Sequence, residues 1–220
     1  MTLSIRKTSL IGLASIAVFA LLGSGCIKNK RQGDQQEEKH FGQLQLQRFK
    51  EIGGDFTLTD QFDKPFVLSK QKGKAVVLFF GYLTCPDVCP TTLMELAQVK
   101  KLLGPEADKV LFAFVTLDPE RDTAEKLHDY LINFDPSFIG LRGDAKEIKR
   151  VADEYKIAYR RREQPSAMGY TIDHSSGTYL IDPAGDVRYI FAFKTKANFM
   201  AKGIQKVADL PDGTSTEQHS

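Results

Sequence analysis

The sequence has little net charge, few cysteines and only one long apolar run. Its 220 residues include 30 Lys and Arg against 28 Asp and Glu, a formal net charge of +2. This balance argues against a nucleic-acid-binding protein, which usually has a strongly basic face. Three cysteines are too few for a small disulfide-stabilised fold. The 42% of apolar and 26% of charged residues are typical of a globular protein and exclude disordered, collagen-like and multi-span membrane chains.

The N-terminus has the pattern of a targeting segment. Arg6 and Lys7 precede thirteen apolar or small residues, which suit the apolar region of a secretory signal. The small residues before Cys26 resemble a bacterial lipobox, in which the cysteine is lipidated and becomes the new N-terminus. Twenty uncharged residues between Lys7 and Lys28 also permit an uncleaved membrane anchor, and a simple cleaved signal is the third alternative. All three place residues 30–220 outside the cytoplasm.

Composition divides the chain into four regions. We expect a signal peptide or membrane anchor at 1–25, a lipidated cysteine and/or flexible polar tether at 26–51, a folded domain at 52–208 and a disordered tail at 209–220. Removal of residues 1–25 takes away two positive charges and leaves equal numbers of acidic and basic residues.

Strand and helix patterns alternate along the folded domain. Two continuous apolar runs, 75–80 and 110–117, predict strands buried on both faces. Period-two patterns predict an N-terminal hairpin within 56–69 and a late hairpin from 178–182 and 187–191. Apolar spacing and terminal residues predict helices at about 91–103, 122–133, 144–155 and 195–207. The sum is an α/β, thioredoxin-like fold, a mixed central sheet flanked by helices with an N-terminal hairpin extension.

Two cysteines, Cys85 and Cys89, lie where the first buried strand gives way to a helix. Ligand sites in α/β sheets lie at such an edge, and a helix N-terminus stabilises a thiolate. Four residues make about one helical turn, so both sulfurs can face the same way. The pair suits a reversible disulfide, a soft metal such as monovalent copper or zinc, or a structural disulfide. A structural disulfide between these cysteines would close too short a loop to stabilise the fold much.

A third ligand for a soft metal would come from a histidine. Among the four histidines, His40 lies in the polar tether, His219 in the tail and His128 on a helix among charged neighbours. His174 precedes the late hairpin, a segment that borders the cysteine loop in a thioredoxin-like fold. We expect His174 to be the ligand; the alternative is a hydrogen-bonded histidine near a turn.

Three motifs in order resemble those of the Sco/SenC family. They are Cys85-Pro-Asp-Val-Cys89-Pro after the first buried strand, Thr116-Leu-Asp-Pro-Glu-Arg-Asp after the next, and Asp173-His174-Ser before the late hairpin. The resemblance covers about residues 52–208. It implies a membrane-tethered copper protein that binds one copper, as Cu(I) or Cu(II), and takes part in assembling the dinuclear copper centre of cytochrome c oxidase.

Carried over by position, the copper ligands are Cys85, Cys89 and His174, and the cysteines are also the redox pair. The expected partner is the copper-site subunit of the oxidase or another copper or thiol protein, with no nucleic acid. The expected location is the bacterial cell envelope, facing the periplasm and anchored to the membrane by a lipid on Cys26 or by a single N-terminal helix.

Other functions of the same thiols stay open. A thiol-disulfide oxidoreductase needs only Cys85 and Cys89, and a copper store would have no delivery target. A thiol peroxidase of this fold has threonine three residues before the reactive cysteine, where this chain has Tyr82. In the second motif, Asp122 or Thr123 is expected to cap the next helix, and Arg121 to pair with a nearby carboxylate.

Overall fold

A seven-stranded mixed sheet organises the part of the chain that the structure, a computed structural model, describes: residues 48–165 and 169–212. All of them belong to one compact unit. The predictions for Cys26, His40, His219 and the targeting segment lie outside the described residues. Among those described, no helix combines the length and apolar character needed to cross a bilayer.

The strands of the described residues are β1 Thr57–Asp60, β2 Pro65–Val67, β3 Ala75–Gly81, β4 Val110–Thr116, β5 Ile139–Arg142, β6 Tyr159–Glu163, β7 Tyr170–His174, β8 Thr178–Ile181 and β9 Val187–Phe191. The α-helices are α1 Val88–Leu103, α2 Ala124–Leu131, α3 Ala145–Glu154 and α4 Ala197–Ala208.

The predicted parallel pair is the centre of the sheet. Strands β3 and β4 pair in parallel from Ala75 opposite Val110, and all seven residues of β3 are buried. The sheet order is β2-β1-β5-β4-β3-β8-β9, with the N-terminal and late hairpins as antiparallel edges. Helices α1, α2 and α4 contribute to the apolar core on one face, and α3 contributes to the core on the other. The predicted thioredoxin-like fold is confirmed.

The structure differs locally from the predictions in three places. Helix α1 begins at Val88, three residues before the predicted start, and it can include Pro90 because the N–H groups of the first turn have no partner within the helix. Residues 68–71 form a 3-10 helix instead of continuing strand β2. Strands β5, β6 and β7 were not predicted. β5 has only four residues and includes a glycine, and β6 consists largely of exposed charged side chains without an alternating apolar pattern.

Candidate metal centre

The cysteine loop leaves the carboxyl end of β3 at Gly81. A Cβ atom at this position would lie 2.7 Å from Sγ of Cys89 and 2.9 Å from the ring of Phe114. Real Cβ atoms essentially never approach so closely, so only glycine lets the first turn of α1 pack against the strand end. The backbone nitrogen of Leu117 donates to the Gly81 carbonyl at 2.7 Å and ties this end of β3 to the chain after β4.

The two cysteines have different exposure. Cys89 lies in the first turn of α1 and is fully buried, whereas Cys85 lies in the loop and is only partly buried. Both are free thiols. The early start of α1 therefore places one sulfur in the protein interior and leaves the other within reach of solvent.

His174 is the last residue of β7, and its Nε2 atom lies 3.5 Å from Sγ of Cys89. Its Nδ1 atom lies 2.9 Å from the carbonyl oxygen of Ser175, which can only accept a hydrogen bond. We therefore assign the ring proton to Nδ1, which leaves the Nε2 lone pair directed towards the sulfurs. The rings of Tyr82 and Phe79 pack edge-on against the imidazole, with centroid separations of 6.0 and 6.3 Å.

The ligand atoms of Cys85, Cys89 and His174 all lie within 4.8 Å of one another. Among the histidine, cysteine, aspartate and glutamate side chains of the described residues, these three form the one group that could hold a metal ion. Two sulfurs and one imidazole nitrogen form a soft donor set, which suits monovalent copper or zinc better than the oxygen-seeking cations. The cluster is therefore chemically suited to copper.

The two thiols differ in acidity. The pKa of Cys85 is lowered, above all because the Cys89 thiol donates a hydrogen bond to its sulfur. The pKa of Cys89 is raised, because it keeps that shared proton and because it is buried. The metal-free reduced site thus combines a partly buried thiolate with a fully buried thiol.

Residues of the second motif support the cysteine loop, and its carboxylates make buried hydrogen bonds that were not predicted. Thr123 caps α2 by accepting a hydrogen bond from the Lys126 nitrogen. Asp122 is buried instead, and its Oδ2 accepts from the Leu83 nitrogen at 3.1 Å and from the Thr116 hydroxyl at 2.5 Å. Burial raises the pKa of Asp122 to about 6. This carboxyl group joins the cysteine loop to the end of β4.

Asp118 and Tyr170 form a second contact that the sequence did not reveal. Asp118 is 2% exposed, pairs with Arg121 as predicted for that arginine, and accepts a hydrogen bond from the Tyr170 hydroxyl at 2.6 Å. Burial, together with the hydrogen bond to Asp118, raises the pKa of Tyr170 to about 12. No local pattern marks this contact, because the two residues are 52 positions apart.

His128 differs from its predicted place on a solvated helix face. It is half-buried, and its ring centroid lies 5.3 Å from that of Phe62 at the turn between β1 and β2. It is not one of the three clustered residues. His128 is therefore a natural control for His174 in binding experiments.

Comparison with known proteins gives a consistent set of relatives. The SCO1/SenC family model matches residues 45–209. An SCO2-like protein of Rickettsia conorii is 43% identical over 135 residues, which are 61% of this chain and 66%, just under two thirds, of that protein. The copper-bound structure of Bradyrhizobium japonicum ScoI is 40% identical, with a TM-score of 0.66 over 71% of this chain and 99% of that one. Copper-bound Arabidopsis thaliana ScoI is 33% identical, with a TM-score of 0.66 over 70% and 96% of the chains.

Proposed function

The chain belongs to the SCO1/SenC family, and from this premise we propose that it is a copper metallochaperone. It binds one copper ion through Cys85, Cys89 and His174, and delivers the ion to, or prepares, the dinuclear copper site of cytochrome c oxidase. Sco proteins are a family of cytochrome c oxidase assembly proteins. The recipient in this proposal is the copper-site subunit of the oxidase.

The observation that carries the proposal is the convergence of three soft donors from two distant segments. Their ligand atoms lie within 4.8 Å of one another, and the Nε2 lone pair of His174 already points towards the sulfurs. Copper-bound relatives share the fold at 40% and 33% identity. A site whose donors need little rearrangement loses little binding free energy to ordering.

The unequal exposure of the sulfurs suits transfer of the ion rather than permanent storage. Cys85 is only partly buried, so an incoming ligand of a target protein can approach the ion from that side, while Cys89 and His174 still hold it. The copper ion is the cargo and moves by ligand exchange, so it is never released to solvent. The thiol proton of Cys89 must leave when copper binds, because the thiolate is the metal ligand.

The proposed location follows from the N-terminal sequence. The segment 1–25 and the lipobox-like Cys26 support a protein anchored to the membrane of the bacterial cell envelope with its copper domain facing the periplasm. The anchor is a lipid on Cys26 or an uncleaved N-terminal helix. Metabolic labelling with a palmitate analogue, compared between the native chain and Cys26→Ser, distinguishes them, because only a lipoprotein loses the label in the variant.

The test of copper binding is a competition titration of Cu(I) against a chromophoric chelator with reduced protein. The native chain, His174→Ala and the control His128→Ala are compared. We expect one-to-one binding that weakens at least tenfold, about 1.4 kcal/mol, in His174→Ala and is unchanged in His128→Ala. Binding that is indifferent to His174 contradicts the three-ligand site. An oxidase-deficient deletion strain that is rescued by the native gene but not by His174→Ala supports delivery.

A thiol-disulfide oxidoreductase is the second candidate, and the hydrogen bond between the two thiols favours it. A stabilised thiolate at Cys85 attacks a target disulfide, and Cys89 then resolves the mixed disulfide. This activity needs both cysteines but not His174 as a ligand. Reduction of a target peptide disulfide by His174→Ala at near-native rates, together with loss of rescue only in the cysteine variants, would favour the oxidoreductase over the metallochaperone.

A further inference from the structure

The hairpin that carries His174 is not part of the main sheet. Within the part of the chain that the structure describes, strands β6 and β7 pair only with each other, from Tyr159 opposite His174 to Glu163 opposite Tyr170, and form a separate two-stranded sheet. A lone two-stranded hairpin is at best marginally stable in water. Side-chain contacts and the chain connections must therefore hold this hairpin in place against the rest of the molecule.

Strand β7 turns one face to the protein interior. Tyr170 and Ile172 are buried, Asp173 is exposed, and His174 shares the side of the strand with Tyr170 and Ile172 because alternate residues point the same way. The short connection of residues 175–177 to β8 holds the His174 end of the strand. Whatever holds Tyr170 at the other end therefore fixes the rotation of β7 about its own axis, and with it the direction of the His174 ring.

Tyr170 is held by the loop of residues 117–123, which connects β4 to α2. Its hydroxyl donates to Oδ1 of the buried Asp118 at 2.6 Å, and its carbonyl accepts from Nη1 of Arg121 at 3.0 Å. The Arg121 guanidinium also stacks on the Tyr170 ring, 3.6 Å from its centroid, and Arg161 stacks at the same distance. Asp118 is paired with Arg121, so its buried charge is compensated.

The 117–123 loop also holds the segment that carries the cysteines. Asp122 accepts from the Leu83 nitrogen at 3.1 Å, two residues before Cys85. A single loop thus contacts both ligand-bearing segments, the cysteine loop through Asp122 and the His174 hairpin through Asp118. Its conformation sets the separation between the sulfurs and the imidazole.

We propose that Asp118 is a positioning residue for His174, and that it acts through its hydrogen bond with Tyr170. Loss of this bond loosens the far end of β7, which the Arg121 bond to the Tyr170 carbonyl and the two stacked guanidinium groups then hold less firmly, and lets the His174 ring leave its orientation towards Cys89. This proposal extends the proposed function. Its expected effect on copper affinity rests on that function, whereas its expected effect on the imidazole does not. The orientation of the imidazole in the metal-free protein is independent of any copper ion.

The test compares Tyr170→Phe and Asp118→Ala, each of which removes the hydrogen bond between the two side chains, with the native protein and with the matched control Tyr179→Phe. Tyr179 is also a buried tyrosine, and its hydroxyl donates to the Tyr155 carbonyl at 2.8 Å in the core on the other face of the sheet. Each tyrosine variant removes one buried hydroxyl, so a general loss of stability affects both. Tyr170→Phe removes a single oxygen and keeps the test available if Asp118→Ala fails to fold.

Two measurements are made on each variant. The first is a long-range proton–nitrogen NMR correlation of the His174 ring in reduced, metal-free protein, which reports its tautomer. The second is the Cu(I) affinity by chelator competition. We expect a single Nδ1–H tautomer in the native protein and Tyr179→Phe, and a mixture of tautomers with at least fivefold weaker Cu(I) binding in Tyr170→Phe and Asp118→Ala.

The proposal is overturned if Tyr170→Phe lowers the unfolding temperature but keeps the native tautomer and the native Cu(I) affinity, since Asp118 and Tyr170 would then contribute to stability alone. A native protein that fails to bind Cu(I) refutes the proposed function instead. In that case the tautomer measurement decides the positioning role by itself.

Discussion

The Nε2 atom of His174 lies 3.5 Å from Sγ of Cys89, although 85 residues separate them in the chain. The two atoms come together because Cys89 is buried in the first turn of α1 and His174 ends a strand whose buried residues, Tyr170 and Ile172, belong to the same apolar core as Cys89. Three features around this contact can be tested by experiment: the acidity of the two thiols, the close packing at Gly81 and the burial of Asp122. Each leads to a prediction.

Copper binding should release about one proton at pH 7.5, not two. Cys85 is already a thiolate because its pKa is lowered, and Cys89 keeps its proton because its pKa is raised. Titration of Cu(I) into weakly buffered protein with a pH indicator counts the protons. His174→Ala serves as the control, and we expect it to release the same number of protons. Release of two protons would show that both thiols are protonated before binding.

Iodoacetamide should modify Cys85 well below the pH at which an ordinary thiol reacts. An unperturbed cysteine has a pKa of about 8.5, and the hydrogen bond from Cys89 lowers the pKa of Cys85. At pH 6 we expect mass spectrometry to find the label on Cys85, while the fully buried Cys89 stays unlabelled. In Cys89→Ala the donor is lost, and the rate at pH 6 should fall at least tenfold. Equal rates in both proteins would contradict a stabilised Cys85 thiolate.

Gly81→Ala should impair copper binding as well as stability. The new Cβ would meet Sγ of Cys89 at 2.7 Å, and such overpacking typically costs 1–3 kcal/mol, so we expect about that loss in the free energy of unfolding. Gly140→Ala is the matched control, because its Cβ would meet Leu131 at 2.8 Å in a core contact on another strand. Chemical denaturation should show a loss in both variants, and Cu(I) titration should show weaker binding only in Gly81→Ala. Similar affinities in the two variants would argue against a role of Gly81 in placing Cys89.

The contribution of Asp122 to the free energy of unfolding should fall as the pH rises from 4 to 7. Burial raises the pKa of this carboxyl from 3.8 to about 6, so the folded state binds more protons than the unfolded state in this window. Its contribution to stability is therefore lost as the pH rises through the window and is constant above it. One pKa unit corresponds to 1.36 kcal/mol, so the loss is of the order of 2–3 kcal/mol.

Asp122→Asn isolates this contribution. Chemical denaturation at pH 4, 5, 6 and 7 gives the free energy of unfolding of both proteins. We expect the difference, native minus variant, to fall across the series. A difference that is constant with pH would mean that Asp122 ionises in the folded protein as it does in the unfolded chain.

Much of the fold was predictable because its signals are local. The continuous apolar runs of β3 and β4 mark buried strands, and apolar residues at helical spacing mark α1. Strand β6 was not predicted, because it contains three consecutive arginines, Arg160, Arg161 and Arg162, and such a run has no alternation of apolar and polar residues. Its strand conformation comes from pairing with β7, which is a tertiary contact.

The sequence by itself determined where the chemistry is concentrated. The cysteine pair between a buried strand and a helix, and the order of the three motifs, are properties of neighbouring residues and are visible in the linear chain. Only the tertiary structure decided which cysteine is buried, that the Nε2 atom of His174 lies beside Cys89, and that Asp118 accepts a hydrogen bond from Tyr170 in the His174 hairpin. These depend on side chains that are tens of residues apart, and such contacts form only when the folding of the whole domain offsets the entropy of closing the chain between them.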